Sequence, residues 1–412
     1  MTRLDIHSIE SMKGAAFLLS LGLALQGWEA LAQEQAPLPA SCSSFPTQGQ
    51  YARNAKLPDP FLKADGTRVR TREEWACKRA EIRQQLQQLE LGVKPAKPTV
   101  TASLSGSTIS ITCSEGGKSI SFSVTIKAPS GAAQAPYPAV IGLGGGSVPY
   151  PAGVAVITYN NQDMAVDNPH GKGKFYDLYG STHPAGGLMA WAWGVSRVID
   201  ALEQLGAGKT RIDVGRLAVT GCSRNGKGAL VAGAFDERLA LVLPQEAGSG
   251  GPGCWRIVND MKKNGTKVED STQIVQGDGW FTPSFVGTAN DVSVLPFDHH
   301  MLMGLVAPRG LLVVENSGID YLGPPSTYGC TAAAREVYKA LGVADRIAMS
   351  QASHGSSHCQ LPSSQNGDVA AYFARFLLNQ SSSAADTGFM KTDGKFQFSL
   401  AQWAPWSLPA LS

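Results

Sequence analysis

Hydrophobic and polar residues follow two different patterns along this chain. Between residues 99 and 128 they alternate with a period of two, interrupted by glycines, and this alternation predicts antiparallel strands. Further along, short apolar runs end in glycine or a polar residue, as buried parallel strands do. These runs cover residues 139–146, 153–160, 216–221, 239–246, 311–316 and 346–353.

Segments with apolar residues at helical spacing separate these runs. The longest, 184–206, has a proline at its start and a glycine at its end, which are the usual helix boundaries. Further helices are predicted from about residue 225 and over 331–342 and 368–379. Strands that alternate with helices predict an α/β fold, in which helices cover both faces of a mostly parallel sheet.

The N-terminus has the pattern of a secretory signal. Lys13 precedes an apolar run at 15–25, and the small-residue site Ala-Leu-Ala follows it. The run is too short to span a bilayer, and the true start is either Met1 or Met12. We therefore expect a secreted, extracellular protein with a signal peptide over 1–32, an extended lead-in over 33–60 and a single folded domain over 61–400.

Charge limits the range of partners. The 412 residues include 35 Lys and Arg against 33 Asp and Glu, so the formal net charge is only +2. Nucleic acids and anionic membrane surfaces are bound by clustered positive charge. We therefore expect neither nucleic acid nor membrane as a partner.

Secretion changes how the cysteines and two asparagines are interpreted. Seven cysteines in a secreted chain are expected to pair, with one left over. No Cys-x-x-Cys motif and no His/Cys cluster with metal-ligand spacing occurs, so we expect neither a metal nor another cofactor. The sequons at Asn264 and Asn379 are candidate glycan sites, which predicts that both lie on the surface.

The segment GCSRNG, residues 221–226, joins the predicted strand 216–221 to a helix. A serine at such a corner is either a helix N-cap or a nucleophile exposed on a tight turn at the carboxyl edge of the sheet. The segment differs from the common Gly-x-Ser-x-Gly elbow, because Gly226 comes one place late. Asn225 stands in that place, and asparagine tolerates left-handed backbone better than most residues. Ser223 is therefore the candidate nucleophile.

A serine nucleophile needs a base, usually a histidine that a carboxylate orients. In α/β-hydrolases this histidine follows the last strand, where the chain has His354 and His358. If Ser223 and His358 meet, their neighbours Cys222 and Cys359 come within reach of a disulfide, which needs Cα atoms about 4.4–6.8 Å apart. We therefore favour His358 as the base and expect His354 to be a loop or supporting residue.

Two carboxylates compete for the role of the acid. Glu246 ends the strand that follows the nucleophile's helix, beside the serine strand. Asp320 comes after the next strand, where many hydrolases keep their acid. Either residue could instead be an ordinary surface carboxylate. We favour Glu246 and keep Asp320 as the alternative acid.

Two cations follow the serine. The N–H group of Arg224 is the expected oxyanion donor, because it belongs to the residue after the nucleophile, and its guanidinium could add a further contact. Lys227 lies about one helical turn beyond Ser223 and is expected to face the same pocket. Positive charge is unfavourable at a helix N-terminus. We therefore favour a functional role for both cations over the alternative that they are ordinary solvated residues at the start of a helix.

The segment GCSRNGKGALVAGAF, which begins at Gly221, resembles the glucuronoyl esterases, carbohydrate esterase family 15. The segments FYDLYGSTHPAGG and LPFDHHMLMGLVAPRG are similar as well, and the resemblance covers roughly residues 50–380. It implies a secreted, metal-free α/β-hydrolase, a three-layer α/β/α sandwich whose catalytic domain would be residues 61–400. It also implies cleavage of the ester between 4-O-methyl-glucuronic acid on glucuronoxylan and lignin alcohols. The expected partner is this lignin–carbohydrate ester, and we expect a monomer.

The resemblance also implies roles for single residues. Ser223 is the nucleophile, His358 the base and Glu246 the acid, while Arg224 serves the oxyanion and Lys227 binds sugar hydroxyls. The implied disulfides are Cys222–Cys359, Cys254–Cys330 and Cys42–Cys77, with Cys113 left single.

The expected sugar-binding residues depart from the family pattern. Its Gln and Glu fall near Glu269 and Gly277, and its stacking Trp is Tyr321 in this chain. A missing carboxylate removes a hydrogen bond to ring hydroxyls, and such losses typically cost about 0.5–3 kcal/mol. Two alternative functions therefore remain. One is a carbohydrate esterase with altered uronate recognition, and the other is a non-catalytic polysaccharide-binding homologue.

Overall fold

The computed structural model describes residues 51–130, 133–381 and 386–412, together with Glu34, Gln35, Pro39 and Cys42. The expected signal peptide, 1–32, and part of the lead-in, 33–60, lie outside the described residues. These boundaries, and that of the domain over 61–400, stay predictions. Within the described ranges, no helix is both long and apolar enough to cross a membrane.

In the described part of the chain, ten strands form one central sheet. The strands are β1 Thr99–Ser105, β2 Thr108–Glu115, β3 Lys118–Lys127, β4 Tyr137–Leu143, β5 Ala155–Tyr159, β6 Ile212–Cys222, β7 Leu239–Gln245, β8 Gly310–Glu315, β9 Ile347–Gln351 and β10 Met390–Thr392. Their order across the sheet is β1-β2-β3-β5-β4-β6-β7-β8-β9-β10. The pairs β1–β2, β2–β3 and β3–β5 are antiparallel, and every pair from β5 to β10 is parallel.

Burial explains the two sequence patterns. In β3 the apolar residues Ile120, Phe122 and Val124 are buried, while the serines between them are exposed, so that one face of this strand meets solvent. In β4 and β8 every residue is buried, because helices cover both faces of the parallel part of the sheet. The predicted α/β fold with a mostly parallel sheet is confirmed.

Helices form the outer layers of the molecule. Those among the described residues are α1 Arg72–Leu86, α2 Lys174–Tyr179, α3 Gly187–Leu205, α4 Ala207–Thr210, α5 Arg224–Phe235, α6 Trp255–Lys263, α7 Ser271–Gly277, α8 Phe285–Ala289, α9 His299–Gly304, α10 Pro324–Ala340, α11 Ser363–Phe376 and α12 Leu400–Trp403. Residues of α3, α5, α9 and α10 share one apolar core with the sheet. The residues of α11 pack into a second core on the other face, against Val140, Ala218 and Leu312.

Most of the shorter helices were not predicted, and three of the elements that differ from the sequence predictions have a plain physical reason. Helix α1 was not predicted because its surface is largely polar, although Thr71 and Glu74 form a capping box at its start. Helix α10 begins at Pro324 rather than residue 331, since proline is well suited to the first turn of a helix. Strand β10 was missed because it has only three residues and depends on pairing with β9.

Three disulfides fasten this framework, and they are the pairs that the resemblance implied. They are Cys42–Cys77, Cys222–Cys359 and Cys254–Cys330, with Cα atoms 5.3, 5.7 and 5.3 Å apart. Cys113 is free and buried. The sequon residues Asn264 and Asn379 are exposed, as expected of candidate glycan sites.

A buried ion pair joins two segments that support the loop after β7. Glu90, in a π-helical turn after α1, accepts a hydrogen bond from His299 Nε2 at 2.6 Å, and both side chains are inaccessible to solvent. The other ring nitrogen of His299 donates to the carbonyl of Gly251. Burial on its own lowers the pKa of His299, but the Glu90 carboxylate, together with the Asp298 carboxylate and the Gly251 carbonyl, raises that pKa above its usual value. Because each ring nitrogen faces an oxygen acceptor, the contacts favour the imidazolium, which ties three segments together.

Candidate active site

Ser223 lies at a tight corner between a buried strand and a buried helix. Strand β6 ends at Cys222 and α5 begins at Arg224, so the turn consists of Ser223 alone. Its backbone has φ of 58° and ψ of −128°, a conformation that costs a non-glycine residue free energy. The N–H group of Ser223 donates to the carbonyl of Gln245 at 2.9 Å, which fixes the turn against β7. The half-buried hydroxyl lies at the carboxyl edge of the sheet.

The glycines around Ser223 allow this corner to form. A Cβ atom at Gly221 would lie 2.5 Å from the carbonyl oxygen of Asn225, and one at Gly226 would lie 2.8 Å from that of Gln245. The expectation that Asn225 is left-handed is wrong, because the residue lies in α5 and the positive φ belongs to Ser223. The side chain of Asn225 instead accepts a hydrogen bond from Asn161.

The bridge between Cys222 and Cys359 brings His358 to the elbow. A ring nitrogen of His358 lies within 4.8 Å of both sulfurs. Because those sulfurs are bonded to each other, they offer no thiolates to a metal. The disulfide instead holds the His358 loop against the elbow that carries Ser223. Among the described residues, Ser223 Oγ forms no hydrogen bond to His358 in this structure. Such contacts are often long without substrate and tighten when it binds.

Glu246 orients the His358 ring. Its carboxylate accepts hydrogen bonds from His358 Nδ1 at 2.8 Å and from the N–H group of Cys359 at 3.0 Å. The glutamate is only 1% exposed, and it follows β7 directly with a positive φ of 43°. Asp320 is exposed in a short 3₁₀ turn, and in the described part of the chain it contacts neither His354 nor His358. The geometry favours Glu246 as the acid.

His354 contacts the same carboxylate from the other side. Its Nε2 lies 3.3 Å from Glu246 Oε1. Asn316 defines the tautomer, because its Nδ2 lies 3.3 Å from His354 Nδ1 while its Oδ1 accepts from the N–H group of Gly318. An amide nitrogen can only donate, so His354 Nδ1 accepts and Nε2 carries the proton. His354 Nε2 thus lies near Glu246 without a hydrogen bond to it, and its role as a loop or supporting residue stays a prediction.

Sequence reasoning missed Glu315, the last residue of β8. It is 1% exposed, and its Oε1 accepts the N–H groups of Ala247 and Gly248 at 3.0 and 3.1 Å. Burial, together with the nearby Glu246 carboxylate, raises its pKa to about 8, although the N–H of Gly248 acts in the opposite direction. Glu315 therefore holds the turn after Glu246 as a neutral acid. The sequence feature that could have indicated Glu315 is a carboxyl group at the end of an otherwise apolar strand.

The protonation of Glu315 predicts a pH-dependent effect of Glu315→Gln. The folded-state pKa of about 8 lies above the ordinary value of 4.5, so folding takes up a proton between these pH values. Stability should fall by up to about 1.4 kcal/mol per pH unit across this window. The variant lacks this cost and should gain stability relative to the wild type as the pH rises from 5 to 8. Urea unfolding at several pH values would measure this, with the exposed Glu115→Gln as the control. A difference that does not change with pH would contradict the assignment.

Arg224 presents two kinds of donor at the elbow. Its N–H group lies in the first turn of α5, where backbone amides have no acceptor within the helix. Its side chain is 49% exposed, and its Nε lies 3.1 Å from Asp167. The N–H groups of the glycine-rich loop 144–146 all bond to carbonyls within the protein. That loop offers no spare backbone donor to an oxyanion. The N–H group of Arg224 therefore remains the expected oxyanion donor.

Lys227 is buried and fully engaged within the protein. Its ammonium group donates to the carbonyls of Ala247 and Ser249 at 2.8 and 2.6 Å, and it lies 3.3 Å from a carboxylate oxygen of Glu269. An ammonium group has three hydrogens, so each has an acceptor. The lysine fixes the loop after Glu246, and in this arrangement no hydrogen remains for a sugar hydroxyl.

The remaining expected sugar contacts lie around Glu269. Tyr321 is 51% exposed, and its hydroxyl donates to Glu269 at 2.7 Å. Gly277 has no side chain, but Asp278 follows it. Partial burial, followed by the carboxylates of Asp167 and Glu269, raises the pKa of Asp278 to about 6. The structure therefore brings an aromatic ring and two carboxylates to one side of the site.

A parallel sheet of this topology, with a strained serine between strand and helix and a His–Glu pair beside it, defines the class of α/β-hydrolases. Comparisons with known proteins agree with that class. Residues 111–342 match the family model described as glucuronyl esterase, fungi. The 4-O-methyl-glucuronoyl methylesterase of Podospora anserina is 52% identical, over 91% of this chain and 78% of that protein. The enzyme of the same name from Hypocrea jecorina is 49% identical, over 90% of this chain and 80% of that protein.

Solved structures are similar to the same extent. The glucuronoyl esterase catalytic domain from Hypocrea jecorina is 50% identical with a TM-score of 0.84, covering 89% of this chain and 100% of that one. A mutant glucuronoyl esterase from Sporotrichum thermophile, in complex with methyl 4-O-methyl-β-D-glucopyranuronate, is 47% identical with a TM-score of 0.85. This match covers 90% of this chain and 99% of that one. The chain belongs to the fungal glucuronyl esterase family, as the sequence motifs predicted.

Proposed function

We propose that this chain is a secreted serine esterase that hydrolyses the ester between (4-O-methyl-)glucuronic acid of glucuronoxylan and a lignin alcohol. Its relatives are named methylesterases, which are carboxylic ester hydrolases. The similar structure of a mutant glucuronoyl esterase from Sporotrichum thermophile was solved in complex with a methyl ester of 4-O-methyl-glucuronate. The observation that carries the proposal is the 2.8 Å contact between His358 Nδ1 and Glu246, beside the strained Ser223.

The expected reaction has two steps. Ser223 Oγ attacks the carbonyl carbon of the ester, and His358 takes the serine proton while Glu246 stabilises the imidazolium. The bond to the alcohol then breaks, and His358 gives its proton to the leaving oxygen. Water repeats the sequence on the acyl-enzyme, which releases the uronic acid. During both steps the Arg224 N–H group donates to the oxyanion.

The contacts of Glu269 support a second candidate, an esterase with altered uronate recognition. By the sequence resemblance, the family's sugar-binding Gln and Glu fall near Glu269 and Gly277, and its stacking Trp is Tyr321. Since Tyr321 and Lys227 both bind Glu269, these side chains form one connected group. A sugar hydroxyl must compete with these internal bonds, so the preference among uronates depends on this group.

Ester hydrolysis should favour uronates over simple acyl esters. Purified protein would be assayed on methyl and benzyl esters of glucuronate and of galacturonate, and on an acetate ester. We expect kcat/KM to be at least about tenfold higher on glucuronate, which corresponds to roughly one or two retained hydrogen bonds. Ser223→Ala serves as the inactive control. Equal or faster hydrolysis of acetate would reject the proposal, whereas a preference for galacturonate would favour the second candidate.

A further inference from the structure

Three consecutive residues at the end of β8 bind the two segments that carry the acid and the base. The carbonyl of Val314 accepts the N–H group of Glu246 at 2.7 Å. Glu315 accepts the two N–H groups that follow Glu246 in the chain. The side chain of Asn316, the next residue, contacts the other segment, which we call the base loop and which comprises residues 354–358. The first two residues therefore position the acid, whereas the contacts of Asn316 have no part in the reaction described above.

The Asn316 side chain is completely buried, and its amide contacts the residues just before the base. Its nitrogen donates to the carbonyl of Gly355 at 3.0 Å and to that of Ser357 at 3.4 Å, and it lies 3.3 Å from His354 Nδ1. Its oxygen accepts the N–H group of His354 at 3.3 Å. One side chain therefore binds three of the four residues that precede His358.

The base loop is attached on both sides of His358. After the histidine, Cys359 is fixed by its disulfide and by the bond from its N–H group to Glu246. Before the histidine, the attachment is the Asn316 amide. Residues 355–358 are exposed and belong to no helix or strand, so the loop has little packing that could replace either attachment. The position of the imidazole therefore depends on both of them.

An asparagine that follows a strand can also be an ordinary turn residue. The oxygen of Asn316 accepts the N–H group of Gly318 at 2.8 Å, which is the local turn that asparagine commonly forms. The bonds of the amide nitrogen are different, because they reach residues 39 and 41 positions further along the chain. A local turn needs only the oxygen. The contacts of the NH₂ group therefore indicate a second role, which is to hold the base loop.

We propose that Asn316 is a positioning residue, which holds the base loop so that His358 stays between Ser223 and Glu246. The inference rests on the proposed function, because it concerns the step in which His358 takes the serine proton. Asn316 is buried and does not contact the substrate, so its removal should slow the chemical step without weakening binding. Without its donors the imidazole can move, and a displacement of about 1 Å from the reactive geometry can lower the rate by roughly a hundredfold.

Asn316→Ser tests this role. The serine hydroxyl can still form the local turn, but it is one bond shorter than the amide and does not reach the carbonyl of Gly355. On the methyl ester of glucuronate we expect kcat to fall by roughly ten- to a hundredfold, with KM changed by less than about twofold. Asn316→Thr fills more of the buried volume and is the second variant if the serine variant does not fold.

Gln85→Ser is the matched control for the loss of a buried amide. Gln85 lies in α1, and its amide nitrogen donates to Glu81 at 3.0 Å. This variant should lose stability and keep the kcat of the wild type. Circular dichroism and the unfolding midpoint would verify that each variant folds.

A second background separates positioning from a general loss of stability. In His358→Ala there is no base to position, so the addition of Asn316→Ser should lower the residual rate by less than about twofold. An equal loss with and without His358 would overturn the inference. So would an unchanged kcat in a folded Asn316 variant.

The choice of ester distinguishes this inference from the proposed function. A wild type that hydrolyses an acetate ester but no uronate ester would reject the proposed substrate, and the effect of Asn316→Ser would then be measured on the acetate ester. Hydrolysis of uronate esters with a kcat that does not depend on Asn316 would keep the function and overturn the positioning role. A wild type without any esterase activity would overturn both.

Discussion

Replacement of Glu246 by Gln is expected to lower kcat on methyl glucuronate by about 10⁴-fold. The amide is nearly isosteric, but His358 Nδ1 and the N–H group of Cys359 both contact one oxygen, Glu246 Oε2, and an amide places either its oxygen or its NH₂ group there. With the oxygen there, the negative charge that stabilises the imidazolium is lost. With the NH₂ group there, the Cys359 N–H group loses its acceptor, and the amide donates to His358 Nδ1, which favours the tautomer that cannot take the serine proton. The loss should appear in kcat rather than in KM, because the carboxylate does not contact the substrate.

Asp320→Asn provides the comparison for Glu246→Gln. Since Asp320 is exposed and contacts neither histidine among the described residues, its effect on the same monosaccharide ester should be at least about a hundredfold smaller. Circular dichroism and the unfolding midpoint would verify that both variants fold. A loss of comparable size in the two variants, or a larger one for Asp320, would return the role of the acid to Asp320.

The buried pair of Glu90 and His299 is expected to have the largest effect on stability. Glu90→Gln leaves an imidazolium buried without its counter-charge, and breaking such a pair typically costs about 3–5 kcal/mol. Because the folded-state pKa of His299 is raised, the stabilisation is fully present below its unfolded value near 6.5. It is lost as the pH rises through the folded-state pKa. The variant should therefore lose more free energy of unfolding at pH 5.5 than at alkaline pH.

Glu336→Gln is the matched control for this loss. Glu336 forms an ion pair with Lys339 one turn away, and the lysine is 40% exposed. Such surface pairs contribute about 0–1 kcal/mol. Urea unfolding of both variants at two pH values would measure the difference. Equal small losses would show that the contact between Glu90 and His299 is not a charged pair.

The parallel strands were predictable because burial on both faces forces continuous apolar runs. The runs over 239–246 and 311–316 therefore gave β7 and β8 to within one residue at each end. Helix α1 was not predictable in the same way, since its buried positions include Lys78 and Glu81, which pair with each other in the fold. In a sequence pattern, charged residues that pair with each other in the interior cannot be told from charged residues on the surface.

The candidate site was predictable only where the chain itself supplies a geometric constraint. The adjacent pairs Cys222–Ser223 and His358–Cys359 gave such a constraint, so nucleophile and base could be assigned together. Lys227 had no constraint of this kind. Helical spacing predicted that it faces the pocket, but the carbonyls that accept its hydrogen bonds belong to the loop after β7, whose path no local pattern reveals. The protonated Glu315 was missed for the same reason, because its state depends on neighbours from another strand.

The sulfur bridge beside the serine has a consequence for where the enzyme can be assembled. The loop that carries His358 reaches the elbow through a covalent bond across 137 positions of the chain. A chain synthesised under reducing conditions can complete its sheet and its helices and still leave this loop untethered. Such a preparation would show the correct secondary structure and unfold cooperatively, but its activity would be low. We therefore expect the fraction of active molecules to depend on how oxidising the compartment of synthesis is, and not only on the yield of folded protein.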